Sequence, residues 1–153
     1  MKWKLVQFGK TTDKWLVEGI DIYLNRLKHY ANFEVVTLQP SKQTQPEKIK
    51  EEEGVSLLKL IGPRDLLVLW DERGKPLSSS GLAKQLEKFE NETAGTIWWV
   101  SGGAYGFSES VYQKAKLQIS ISPMTFTHQM VRLLIAEQLY RASTIRKGEK
   151  YHH

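Results

Sequence analysis

The sequence predicts a three-layer α/β domain built on a mostly parallel sheet of five to six strands. Five short and nearly continuous apolar runs indicate strands that are buried on both faces. Stretches of helical character separate these runs, and such alternation is typical of a parallel sheet covered by helices. The 153 residues show no internal repeat and no break in composition, so we expect a single domain spanning residues 1–153.

The strands are predicted from the apolar runs, at Trp3–Phe8, Phe33–Leu38, Asp65–Trp70, Thr96–Val100 and Leu117–Ile121. Successive side chains of a strand point to opposite faces of the sheet. The neighbours Trp98 and Trp99 are therefore both expected in the core, one on each side.

The helices are predicted at Asp13–Tyr30, Glu47–Ile61, Ser79–Asn91, Ser108–Lys116 and Gln129–Thr144. Thr12 or Asp13 can cap the first helix, and Pro46 stands where a first helical turn tolerates proline. Gly74 with Pro76 predicts a turn after the third strand.

Composition excludes several classes of protein. The chain contains no cysteine, which rules out disulfides, thiolate metal sites and a cysteine nucleophile. No apolar run approaches the roughly 20 residues of a membrane-spanning helix, and the N-terminus lacks a signal-peptide stretch, so we expect a cytoplasmic protein. The four histidines show no metal-ligand spacing, and neither a nucleophile elbow nor a phosphate-binding P-loop is present.

The charge distribution points weakly to a polyanionic partner. The net charge is +5, and residues 108–153 hold seven basic and three acidic residues. A basic excess concentrated in one part of the chain is compatible with nucleic-acid binding, although many basic proteins bind none.

Three loops are predicted to share one pocket, because ligands of open α/β sheets bind beyond the carboxyl ends of the strands. These loops are Asp71–Ser78, Ser101–Ser108 and Ser122–His128. The second contains Gly102, Gly103 and Gly106, which allow close approach of the backbone to a ligand, or else merely permit a sharp turn. A nicotinamide fingerprint is disfavoured, because it requires glycine at position 101 and a place after the first strand.

The third loop mixes hydroxyl groups with apolar side chains. Its hydroxyls can cap the following helix. Met124 and Phe126 are unusual for a loop, and a flat apolar ligand such as an adenine ring between them would explain their presence.

The last helix and the tail carry the remaining candidates. The helix is apolar on more than one side, which favours burial in a homodimer interface. Glu137 and Arg141 can pair within it, whereas Arg132 has no evident local partner. The tail from Arg146 to His153 is either a frayed terminus or a segment that clasps RNA, with cations on phosphate and Tyr151 stacking on a base.

At these residues the chain closely resembles the ribosomal RNA large subunit methyltransferase H family of the SPOUT superfamily, over essentially its whole length. The segments that carry the resemblance are Trp70-Asp71-Glu72-Arg73-Gly74-Lys75, Gly102-Gly103-Ala104-Tyr105-Gly106, Met124-Thr125-Phe126-Thr127-His128-Gln129, Arg132, Glu137-Gln138-Leu139-Tyr140-Arg141-Ala142 and Tyr151-His152.

The resemblance implies a C-terminal trefoil knot, a homodimer, and S-adenosylmethionine bound in the knot. It also implies methylation at N3 of a pseudouridine in 23S ribosomal RNA, preferably on assembled ribosomes. The implied cofactor contacts are Trp70, Gly102, Ile121, Ser122, Pro123, Met124, Thr125 and Phe126. Members of the family usually have a smaller aliphatic residue in place of Trp70. This difference changes a contact made by the side chain but not one made by the main chain.

The chemistry requires an acceptor for the N3 proton. We expect His152 in this role, Tyr151 stacked on or hydrogen-bonded to the substrate, and Arg141 on phosphate, while His128 is a rival base that also suits helix orientation. The candidate RNA contacts are Arg132, Arg141, Arg146, Lys147 and Lys150. The tail of one subunit is expected to reach over the pocket of the other.

Two other classes of function stay open at this stage. A noncatalytic RNA-binding or assembly factor would bind RNA without affinity for S-adenosylmethionine. A nucleotide-dependent oxidoreductase would use the glycine loop for NAD.

Overall fold

The computed structural model describes residues 1–153, in which strands and helices alternate throughout. The strands are β1 (Lys2–Phe8), β2 (Asn32–Leu38), β3 (Leu66–Pro76), β4 (Thr96–Ser101) and β5 (Leu117–Ser120). The helices are α1 (Lys14–Leu27), α2 (Pro46–Leu58), α3 (Ser79–Glu92), α4 (Glu109–Lys114) and α5 (His128–Arg146). Every predicted element is present, with ends displaced by a few residues.

The five strands form one parallel sheet in the order β2-β1-β4-β3-β5. The predicted fold class is thereby confirmed. The last three strands of the chain lie side by side at one half of the sheet, so their carboxyl ends share an edge. The trefoil knot stays a prediction.

Two separate cores cover the two faces of the sheet. On one face, α1, α3 and α5 pack over a cluster that contains Trp3 and Trp99. On the other face, Leu57 of α2 and Val111 of α4 pack over a cluster that contains Trp98. Trp98 and Trp99 are both buried on opposite faces, as predicted.

The third strand is longer than predicted, and the turn expected at Gly74 and Pro76 is wrong. After Trp70 the chain makes a short excursion and then pairs with β5 again, so that Trp70 and Lys75 both face Ile119. A Cβ on Gly74 would lie only 2.7 Å from main-chain atoms of Gln118 and Ile119. Gly74 thus permits a close approach of two strands.

The predicted cap of the first helix is only partly right. Asp13 occupies the position before α1 but accepts no capping hydrogen bond through its side chain. Thr12 instead bonds to Gln129 of α5, through its amide (2.9 Å) and its hydroxyl (3.2 Å). Pro46 begins α2, as expected.

Helix α5 lies on the sheet between α1 and α3. Ile135, Ala136, Leu139 and Ala142 are fully buried by these contacts within one chain. The burial of these four apolar residues therefore does not require a second subunit. No helix of the chain has the length and apolar character needed to cross a membrane.

Candidate active site

A cavity of about 610 Å³ opens at the carboxyl ends of β4, β3 and β5. Its wall is formed by residues 70–73, by 101–107, and by side chains from 119 to 128 together with Val131. The three loops that the sequence predicted to share a pocket do so, because their strands are neighbours in the sheet.

Hydrogen bonds hold the excursion after β3 against the other loops. Glu72 accepts a bond from the Thr125 hydroxyl at 2.7 Å, which joins the first loop to the third across the cavity. Asp71 accepts a bond from the hydroxyl of Tyr112 on α4, and Arg73 donates to that same hydroxyl at 2.6 Å. These hydrogen bonds therefore link the first loop both to the third loop and to α4 at the mouth of the cavity.

Asp71 is held as a carboxylate. Burial by itself raises the pKa of an acid, but the hydrogen bonds from Tyr112 and from Arg73 outweigh it and leave the pKa of Asp71 below its ordinary value. With Glu72 beside it, the cavity presents two carboxylates, only one of which is neutralised locally by Arg73.

The glycine loop after β4 requires its glycines. Gly106 has φ of 81°, in the left-handed region that favours glycine. A Cβ on Gly102 would lie 3.1 Å from the ring of Phe107. Gly102 thus leaves room for the Phe107 ring, and Gly106 permits the turn of the loop.

The third loop has the predicted capping role, and its two apolar side chains lie at the cavity. The Thr127 hydroxyl caps α5 by accepting from the Met130 amide at 3.2 Å, and the Ser122 hydroxyl accepts from the Met124 amide at 3.0 Å. Met124 and Phe126 line the cavity yet stay 73% and 37% exposed. They are apolar surface that a ligand or a second subunit can cover.

The predicted cofactor contacts fall where expected, with one exception. The cavity wall includes Trp70, Gly102, Ile121, Ser122, Met124, Thr125 and Phe126, and of the predicted set it leaves out Pro123. The indole of Trp70 belongs to the core and packs near Trp99, with ring centroids 6.3 Å apart. The main chain of Trp70 is thus the part suited to a ligand.

The prediction that Arg132 contacts RNA is wrong. Its side chain is only 2% exposed and points into the fold, where it donates to the Phe8 carbonyl at 2.8 Å and to the Thr11 hydroxyl at 2.9 Å. These partners, far away in the sequence, join the start of α5 to the end of β1.

His128 begins α5 and lines the cavity. Partial burial lowers the pKa of His128, and the positive charge of Arg132 one turn later lowers it further. The imidazole is therefore neutral at neutral pH and able to accept a proton.

The tail is ordered rather than frayed. Gly148, with φ of 68°, ends α5 and its amide donates to Ile145, while the Glu149 amide donates to Thr144, a Schellman arrangement. The chain then turns back, so that the Tyr151 ring packs against Tyr140 with centroids 4.7 Å apart.

The predicted catalytic residues of the tail form one cluster. The Arg141 guanidinium donates twice to Glu137, at 2.9 and 2.7 Å, and lies 4.7 Å from the centre of the Tyr151 ring. The Tyr151 hydroxyl donates to Glu137 at 3.1 Å, and Nδ1 of His152 lies 3.4 Å from Arg141 Nη1.

This cluster does not face the cavity of its own chain. Arg141 lies 13 positions after His128 on α5, which corresponds to about 20 Å along the helix at a rise of about 1.5 Å per residue. The fold thus brings the predicted cofactor contacts together at the cavity. It brings the predicted catalytic residues together in a second place, at the far end of α5.

The cations predicted to contact RNA differ in their surroundings. Arg146 is paired with Glu90 of α3. Lys147 and Lys150 are exposed and make no ion pair. No group of three or more His, Asp and Glu side chains is arranged to hold a metal ion.

Sequence reasoning missed two residues near the cavity. Tyr112 braces the mouth from α4, and Glu53 of α2 lies behind the glycine loop. Neither belongs to a motif, since each meets the site from an element distant in sequence, and no spacing could have revealed them.

The family model described as "Predicted SPOUT methyltransferase" matches residues 1–152 of the chain. The chain belongs to the SPOUT methyltransferases. It is therefore an enzyme, which excludes the noncatalytic RNA-binding factor and the oxidoreductase, and the resemblance stated from the sequence is confirmed.

Relatives of this SPOUT methyltransferase match it along its whole length. It is 44% identical to the ribosomal RNA large subunit methyltransferase H of Cytophaga hutchinsonii, with 100% of both chains covered. It is 45% identical to the protein of that name from Parabacteroides distasonis, over 100% of this chain and 99% of the other. The corresponding protein of Geotalea daltonii is 44% identical over 100% of both chains.

The methyl donor of this SPOUT methyltransferase is S-adenosylmethionine. The cavity suits that molecule on two counts. The apolar side chains of Ile121 and Phe107 line its sides, and the carboxylates of Asp71 and Glu72 suit a cationic ligand.

Proposed function

We propose that the chain methylates N3 of a pseudouridine in 23S ribosomal RNA on assembled ribosomes, and so works in the cytoplasm. Relatives named ribosomal RNA large subunit methyltransferase H, about 44% identical over the full length, carry this proposal. The cavity at the edge of the sheet supports it, because the cofactor contacts implied by the resemblance converge there.

The loops around the cavity hold the donor. Its sulfonium supplies an electrophilic methyl group when it is bound. The main chain at Trp70 and Gly102 and the segment from Ile121 to Phe126 bind and orient it, and Met124 with Phe126 shield it from water. Such orientation lowers a bimolecular barrier by roughly 7–11 kcal/mol.

The tail supplies the groups that act on RNA. His152 accepts the N3 proton, Tyr151 stacks on or bonds to the base, and Arg141 binds phosphate. These groups lie about 20 Å along α5 from the cavity of the same chain. The proposal therefore includes a homodimer in which the tail of one subunit completes the cavity of its partner.

Exposed apolar side chains support such a dimer. Met124, Tyr105 and Phe126 line the cavity and are 73%, 52% and 37% exposed. Isolated exposed apolar residues are ordinary, but several beside a cavity favour an interface.

RNA contacts complete the proposal. Arg141, Arg146, Lys147 and Lys150 neutralise phosphates, and Arg146 exchanges Glu90 for phosphate in doing so. Binding to the ribosome should accordingly weaken as salt concentration rises.

Two measurements test the function. Calorimetry with S-adenosylhomocysteine should show binding to the purified chain. Transfer of a labelled methyl group is then compared on whole ribosomes, isolated large subunits and protein-free 23S RNA, with the product nucleoside identified by mass spectrometry. A chain that binds no S-adenosylhomocysteine, or labels no pseudouridine, would contradict the proposal.

A further inference from the structure

Arg26, in the last turn of α1, is an exposed cation that makes no ion pair within the chain. The arginines at the end of α5 differ from it, because Arg141 is paired with Glu137 and Arg146 with Glu90. The positive charge of Arg26 is therefore available to a partner outside the chain.

Two tyrosine rings hold the Arg26 guanidinium in place. Its central carbon, Cζ, lies 5.5 Å from the ring centroid of Tyr23 on α1 and 5.5 Å from that of Tyr140 on α5. A cation is attracted to the face of an aromatic ring, and this attraction uses no charged partner. The contact thus positions the side chain and leaves its charge unneutralised.

These rings belong to an aromatic patch, formed by Tyr23, Tyr140 and Tyr151. The rings of Tyr140 and Tyr151 have centroids 4.7 Å apart, and the hydroxyls of Tyr23 and Tyr151 lie 3.5 Å apart. Arg141 contacts the same patch, with Cζ 4.7 Å from the centroid of Tyr151. Arg26 is therefore next to the tail residues that the proposed function assigns to the RNA.

Two carboxylates bond to tyrosines in this region, and other groups already occupy both of them. Glu137 accepts hydrogen bonds from Arg141 and from Tyr151. Glu149 accepts a bond from the Tyr30 hydroxyl at 2.5 Å. An unneutralised cation beside aromatic rings is the combination with which proteins bind single-stranded RNA, since cations bind phosphates and rings stack on bases.

We propose that Arg26 binds a phosphate of the ribosomal RNA, close to the nucleotide that Tyr151 contacts. This inference rests on the proposed function, in which the tail of one subunit acts on RNA at the cavity of its partner. Because Arg26 and Tyr151 contact the same Tyr140 ring, Arg26 approaches the RNA together with the tail. A guanidinium can donate to two phosphate oxygens at once, so Arg26 adds one contact to those of Arg141 and the tail.

The salt dependence of ribosome binding tests this contact. Each phosphate that a cation neutralises releases counterions, and it adds about 0.7–0.9 to the slope of log affinity against log salt concentration. We expect R26Q to reduce this slope by about that amount and to weaken binding about 5- to 8-fold near 0.1 M salt. R26K keeps the positive charge and should restore most of the slope.

Binding is measured by co-sedimentation of the chain with purified ribosomes between about 50 and 200 mM salt. The matched control is K48Q, which also removes one exposed positive charge. Lys48 belongs to α2, which packs on the opposite face of the sheet. K48Q should therefore leave both the affinity and the slope unchanged.

Steady-state methyl transfer separates a phosphate contact from a purely structural role. Arg26 is proposed to touch neither the donor nor the reacting base, so R26Q should raise KM for ribosomes by a similar factor and leave kcat and the melting temperature little changed. If Arg26 served only to pack Tyr23 against Tyr140, its loss would loosen the tail and lower kcat without changing the salt slope.

An unchanged salt slope in R26Q, or an equal decrease in R26Q and K48Q, would overturn the inference. A lower kcat with an unchanged KM in R26Q would also overturn it. A wild-type chain that neither binds nor methylates ribosomes would instead overturn the proposed function.

Discussion

Two histidines are candidates for accepting the N3 proton in the proposed reaction, and the fold places one at the start of α5 and the other in the tail that follows this helix. His152 belongs to the tail cluster with Arg141 and Tyr151, whereas His128 lines the cavity of its own chain. Sequence alone offered both. Their spacing of 24 positions could not show that His152 lies away from the cavity of its own chain, which is why the proposed role of His152 includes a partner subunit.

Replacement of His152 should slow the chemical step. We expect H152A to reduce the single-turnover rate by about 10²- to 10⁴-fold, the usual contribution of a positioned base. S-adenosylhomocysteine affinity should be little changed, because the residues proposed to hold the donor belong to the three loops, whereas His152 is proposed to act on the RNA base. Rapid-quench measurement of methyl transfer provides the check, with H153A as the matched control. A wild-type rate in H152A, with a loss in H128Q, would transfer the role to His128.

Arg132 shows how a buried cation escapes sequence analysis. Because Arg132 has no charged neighbour on its helix, we expected it to contact RNA. Its side chain instead donates hydrogen bonds to the Phe8 carbonyl and the Thr11 hydroxyl. No periodicity links position 132 to position 8, so only the folded chain reveals the contact.

Replacement of Arg132 should raise the pKa of His128. R132M removes the positive charge that helps to lower this pKa, while the partial burial stays in place. It also leaves the buried Phe8 carbonyl without a partner, which should cost about 1–3 kcal/mol in urea unfolding. NMR titration of the His128 ring checks the shift. R141M, about 20 Å along α5, is the control and should leave the titration unchanged; a shift as large as that of R132M would contradict the assignment.

At the scale of elements, the ends of β3 depart most from the sequence prediction. The carboxyl end continues past the expected turn because Gly74 lets it lie directly on β5. The amino end begins one residue late, because Asp65 is used as an acceptor rather than as a strand residue. It receives bonds from the Gly62 amide, the Thr96 amide and the Trp98 indole, at 2.8, 2.8 and 2.9 Å.

Asp65 and its three hydrogen-bond donors should make the free energy of unfolding depend on pH. Burial alone would raise the pKa of Asp65, but the three hydrogen bonds outweigh it and lower the pKa. The ionised form then adds stability that is complete above the ordinary pKa of aspartate and is lost as pH falls through the lowered value.

In urea unfolding, D65N should cost about 1–3 kcal/mol at neutral pH, because an amide offers one acceptor atom in place of two. The difference from the wild type should shrink as pH falls below the ordinary pKa of aspartate and through the lowered pKa of Asp65, where the native carboxylate takes up its proton. D13N is the control, since Asp13 makes no capping bond. A D65N deficit that stays constant down to the lowest pH would contradict this account.

For the whole molecule, the separation of cavity and tail argues that the active unit is a dimer. Helix α5 has the cavity at its start and the tail cluster after its end. The apolar pattern of α5, which predicted an interface, is explained in part by α1 and α3 of the same chain. The position of the tail is therefore what supports the proposed dimer.

Mixed dimers should restore activity. A subunit with a blocked cavity, such as G102V, and a subunit with H152A should each be inactive as homodimers. Co-expressed with different affinity tags and purified as heterodimers, they retain one intact composite site and should show about half of the wild-type rate, by the count of intact sites. Light scattering confirms the dimer first. Inactive heterodimers would indicate that each site is built within one subunit.

The order of strands and helices and the loops that converge were readable in the sequence, because apolar periodicity and glycine placement are local properties. The proposed cofactor contacts came from the resemblance to a family. Four features were not readable in the sequence. They are the burial of Arg132, the second pairing of β3 with β5, the hydrogen bonds of Tyr112 to the first loop, and the position of the Glu53 carboxylate behind Gly103. Each depends on contacts between segments that are distant along the chain, and such contacts exist only once the sheet has brought those segments together.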